Sequence, residues 1–93
     1  MALTKIQDNL VKALVCCELN AAEITGIFRT MSELGTAQEF EAQKELLLWL
    51  MTEGVHRRQP TKGETLAKAN DIISRFWKEK LAAQGGPSFP AKG

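Results

Sequence analysis

Tyrosine is absent from these 93 residues, and histidine occurs once, at position 56. One imidazole leaves little room for histidine acid–base chemistry or for a histidine-rich metal centre. Cysteine occurs twice, as the neighbours Cys16 and Cys17. Neighbours on a helix point about 100° apart, so a mutual disulfide is geometrically poor. An intramolecular disulfide framework is excluded, and a reducing, cytoplasmic setting is the expectation. No window approaches the ~18 consecutive apolar residues of a membrane helix. The start, Met-Ala-Leu-Thr-Lys, lacks the features of a signal peptide, so no membrane association is expected. Strict alternation with β-branched residues is missing too, which leaves no strand and no strand-borne glycine cradle for phosphate. The nearest approach, Thr61-Lys62-Gly63, has its lysine before the glycine and no glycine upstream, so it is no P-loop.

What remains is ordinary globular composition, 44% hydrophobic and 25% charged. A chain this short buries about 60–65% of its unfolded surface, enough for one modest core. The net charge is +1, divided unevenly. Met1–Gly54 holds four Lys/Arg against eight Asp/Glu, a balance of −4; Val55–Gly93 holds eight against three, a balance of +5. This is a dipole between halves, not the footprint of a whole-surface nucleic-acid binder.

Helix starts are marked four times. A capping box pairs Ser, Thr, Asn or Asp with Glu or Gln three residues later, each side chain satisfying the other's backbone N–H. Thr4/Gln7, Asn20/Glu23, Thr36/Glu39 and Thr61/Glu64 fit it, and each precedes an apolar pattern. They predict a first helix from Ala2 or Lys5 to Glu18 and a second from Ala21 to Leu34. The third runs from Ala37 to Glu53 and the fourth from Lys62 to about Ala83. Helix one carries Leu3, Ile6, Leu10, Ala13, Leu14 and Cys17 on one face, and helix two Ile24, Ile27, Phe28, Met31 and Leu34. Helix four carries Leu66, Ala69, Ile73, Phe76, Trp77 and Leu81, opposite an ion-pair ladder of Lys68, Asp71, Arg75 and Glu79. Gly35 and Gly54 are placed as helix stops, and Gly26 marks close approach of another helix. The fold expected is all-α: a small four-helix, mostly antiparallel bundle, or a three-helix core with a docked fourth helix. One domain spans 1–84, and 85–93, rich in Gly and Pro, forms a flexible tail in which Phe89 lies between Pro87 and Pro90.

Leu46-Leu47-Leu48-Trp49-Leu50-Met51 goes right round its helix. Either the third helix is wrapped by the others, or one of its sides meets another chain. The second reading makes Leu46, Leu48, Trp49 and Met51 the partner-binding residues, with Leu47 and Leu50 in the core. The function expected is then a non-catalytic protein-interaction module, an adaptor, inhibitor or regulatory subunit, that binds a protein partner or itself. Its size and composition are those of small phage or mobile-element proteins. The alternative is nucleic-acid backbone or anion binding by His56, Arg57, Arg58 and Lys62 beside the start of helix four. Reading DNA with helices two and three is disfavoured, because Gln38, Glu39, Glu41 and Glu45 would face the phosphates. A remoter alternative is a metal-dependent enzyme built as a dimer on Glu53-x-x-His56. The two cysteines lie in an apolar stretch, where a thiol is inert packing. No catalytic residue, metal ligand or cofactor is assigned.

Overall fold

Three of the four capping boxes close. The Gln7 N–H donates to Thr4 Oγ1 (3.1 Å) and the Thr4 N–H to Gln7 Oε1 (3.0 Å). Asn20/Glu23 and Thr61/Glu64 make the same reciprocal pairs at 2.8–3.1 Å. The structure, a computed structural model, describes residues 4–56 and 59–83, with the backbone alone for 54–56. Leu3, Arg57, Arg58, the His56 side chain and the tail 85–93 with Phe89 lie outside the described residues. The helices are α1 (Lys5–Cys16), α2 (Ala21–Ser32), α3 (Thr36–His56) and α4 (Lys62–Ala83). Strands are absent among the described residues.

Thr36 does not cap α3. The helix starts one residue earlier than the box implies, and the Gly35 carbonyl accepts its first bond, from the Glu39 N–H (2.8 Å). The Glu39 carboxylate instead meets Gln43 Nε2 (3.5 Å). Gly35 has φ +99°, the left-handed region that a Cβ penalises, so this one residue reverses the chain between α2 and α3. Substituting the caps should separate the two cases. Thr61→Ala should lower stability by about 0.5–2 kcal/mol. Thr36→Ala should stay within about 0.5 kcal/mol, both measured by urea denaturation.

The end of α1 needed no glycine. Glu18 takes φ +70°, its N–H donates to the Val15 carbonyl (2.9 Å), and the Leu19 N–H reaches back to Leu14 (3.2 Å). That is the Schellman arrangement, closed by Leu14 and Leu19, both buried. Gly54, in turn, does not stop α3, which continues to His56; an interior glycine costs a helix about 1 kcal/mol without breaking it.

The C-terminal ends of α1 and α3 and the N-terminal ends of α2 and α4 gather at one end of the molecule. There Gln59 Nε2 donates to the Cys16 carbonyl, and Lys62 Nζ meets the Glu23 carboxylate (3.1 Å). At the other end Lys80 Nζ donates to the Leu34 carbonyl (2.9 Å), and Ala83 lines a cleft with Ala37. Consecutive helices therefore reverse direction, the up-down-up-down bundle that short connections favour. α3 is the hub, packed against each of the other three. The core joins Leu10 and Leu14 of α1, and Cys17 just past its end, to Ile24, Ile27 and Met31 of α2. Ala42, Leu46 and Leu50 come from α3, and Ala69, Ile72 and Ile73 from α4.

Two sequence expectations fail on packing. Gly26 is exposed and no neighbouring helix approaches it; a Cβ there would meet open space. Its carbonyl accepts from Thr30 Oγ1 (2.8 Å). Leu81 is 53% exposed, because the inward face of α4 runs through Thr65, Ala69, Ile72 and Ile73. Of the predicted ladder, Arg75 turns across to pair with Glu45 of α3.

Candidate functional site

The apolar run of α3 divides between inside and outside. Leu46 is fully buried and Leu50 nearly so. Leu47 and Trp49 are half-buried and pack against the core. Leu48 and Met51 stand 56% and 59% exposed. Of the four residues predicted to bind a partner, Leu46 is thus a core residue, Trp49 largely one, and Leu48 and Met51 form a surface. Leu46 faces inward because α1, α2 and α4 between them cover its side of the hub helix.

The sequence reading missed Phe40, which is 42% exposed. At 100° per residue, Phe40, Lys44, Leu48 and Met51 fall within about 80° of one another, a single stripe about 16 Å long. Lys44 sits inside the stripe, its ammonium 5.4 Å from the centre of the Phe40 ring and 3.3 Å from the Glu41 carboxylate. The spacing of eight and eleven residues from Phe40 to Leu48 and Met51 was the signal that could have found it. The stripe opens between α1 and α4. Met51 borders a cavity of about 170 Å³ with Ala13 and Cys16 of α1, while Glu41, on the other flank, lines a cleft with Phe76 and Ala83 of α4.

Of the basic site, only the Lys62 side chain is among the described residues. Lys62 is committed to Glu23, which already accepts the Asn20 N–H in its capping box (2.8 Å). The Asn20 hydrogen bond first, and then Lys62, hold the Glu23 carboxyl below its ordinary value. Because the folded value is depressed, this group adds stability above the ordinary carboxylate value and loses it as pH falls through the folded one. The unfolding midpoint of the wild type should therefore fall more steeply below about pH 4.3 than that of Glu23→Gln. Parallel thermal melts from pH 7 to 3 would check it, and equal slopes would remove Glu23 from the account.

Cys16 is exposed and Cys17 buried, and both are free. Among the described residues, no three of His, Cys, Asp and Glu gather as a metal ion would require. No described helix is long and apolar enough to cross a membrane. Comparison with known proteins found no matching family model, no matching curated protein and no matching solved structure.

Proposed function

We propose that this chain is a non-catalytic protein-interaction module, an adaptor, inhibitor or regulatory subunit, that meets another folded chain through the α3 stripe. The observation that carries the reading is the exposure of Phe40, Leu48 and Met51, 42%, 56% and 59%, side by side on the hub helix. Burying one large apolar side chain is worth about 1.5–3 kcal/mol, so three together are a standing incentive to associate. Met51 suits such a surface, since an unbranched thioether adapts to the partner's shape. The acidic stretch that precedes the stripe would steer a basic partner toward it.

Nucleic-acid backbone binding would have to rest on His56, Arg57 and Arg58, because Lys62 is already paired with Glu23. The experiment compares wild type with Leu48→Glu as baits at moderate salt. Proteins held by the wild type and released by the variant are partners of this face. Identical captured sets would sink the reading, and a captured nucleic acid lost steeply with rising salt would favour the alternative.

A further inference from the structure

The chain leaves α4 at Ala83, and Ala83 is itself a wall of the cleft between α3 and α4. Ala37 and Phe76 are the other apolar walls, with Glu41, Glu79 and Lys80 beside them. The cations nearby are engaged. Lys80 donates to the Leu34 carbonyl, Lys44 meets Glu41, and Arg75 pairs with Glu45. Glu79 makes no ion pair among the described residues. The cleft holds about 290 Å³, which falls just short of the ~300 Å³ where small-molecule pockets begin. It suits one aromatic side chain better than a free ligand.

Ten residues follow Ala83, and they carry one aromatic side chain, Phe89, and one charge, Lys92. Continuing along the axis of α4 would carry the chain off the end of the bundle, so a return to the cleft needs a reversal. Gly85-Gly86 supplies two residues that take positive φ without penalty, and Pro87 forbids further helix. The six residues 84–89 span at most about 20 Å. Phe76 lies seven positions before Ala83, about 10 Å back along α4, so half of that reach is left for the reversal. We propose that the tail folds back on its own bundle and seats Phe89 in this cleft, against Ala37, Phe76 and Ala83, with Lys92 toward Glu79. A tether this short holds the ring at an effective concentration on the order of millimolar, so the contact needs far less area than a separate partner would. The flexible tail expected from composition is then fixed at one side chain. The contact lies on the α4 flank of α3, away from Met51, and stands or falls independently of the interaction reading.

Nuclear magnetic resonance on the full chain tests this directly. The Phe89 ring should show Overhauser contacts to the Ala37 and Ala83 methyl groups, unchanged on dilution. Phe89→Ala should shift those two methyl signals and leave those of Ala21 and Ala22, on the open face of α2, in place. Phe89→Trp should restore the contacts, and Lys92→Glu should weaken them. Methyl signals at Ala37 and Ala83 that move no more than those at Ala21 and Ala22 overturn the proposal. Contacts from the Phe89 ring to Leu48 or Met51 instead overturn the site, and contacts that vanish on dilution overturn the return of the tail to its own bundle. None of these outcomes alters the capture comparison between wild type and Leu48→Glu, so the two readings fail separately.

Discussion

Leu46→Ala should lower the stability of the fold by about 2–5 kcal/mol, and Leu48→Ala, two residues away, by less than about 1 kcal/mol. Both substitutions remove the same atoms from the same helix. Leu46 is fully buried among residues of a single core cluster, so its loss leaves a cavity that neighbours anchored on other helices cannot close. Leu48 is 56% exposed and surrenders mainly contact with water. Urea denaturation of the two variants measures the difference. Equal losses at the two positions would mean that α3 is enclosed on every side.

Gly35→Ala should cost about 1–2 kcal/mol, a large effect for one added methyl group. The residue holds φ +99°, where an L side chain is strained. It also sits in a connection of only three residues, since α2 ends at Ser32 and α3 begins at Thr36, and Leu34 is held in the core. Relaxing φ at this point would swing α3 against α2 and pull Lys80 from the Leu34 carbonyl. Gly26→Ala is the control. There the backbone is helical and open, so the substitution should stabilise by about 0.5–1 kcal/mol. Thermal melts of the two variants, shifted in opposite directions, would establish the assignment.

What could be read from the sequence was what lies within a few residues along the chain. The boxes at Thr4, Asn20 and Thr61 are complete in four residues, so they gave three helix starts correctly, and the stripe of α2 gave its buried face. Thr36 failed because Gly35 offered its carbonyl one residue sooner, and a box motif does not register a competing neighbour. The left-handed Glu18 was hidden for the related reason that glutamate carries no turn signal; the Leu14 and Leu19 side chains enforce the geometry from within the core. The division of Leu46 from Leu48 lay beyond local reading altogether. A run that is apolar on every face carries no phase, and only the placement of α1 and α4 decides which side stays open. Phe40 shared that open side, but its neighbours Glu39 and Glu41 masked it as part of a polar segment.

Lys62 and Lys80, eighteen positions apart on α4, hold α2 near its two ends, one on the Glu23 carboxylate and the other on the Leu34 carbonyl. A helix tethered near both ends has no free end from which to fray. Hydrogen exchange in α2 should then occur in one cooperative opening, with amides near Ile24 and Met31 exchanging at matching rates. Neutralising either lysine would turn that single event into progressive unzipping from the released end.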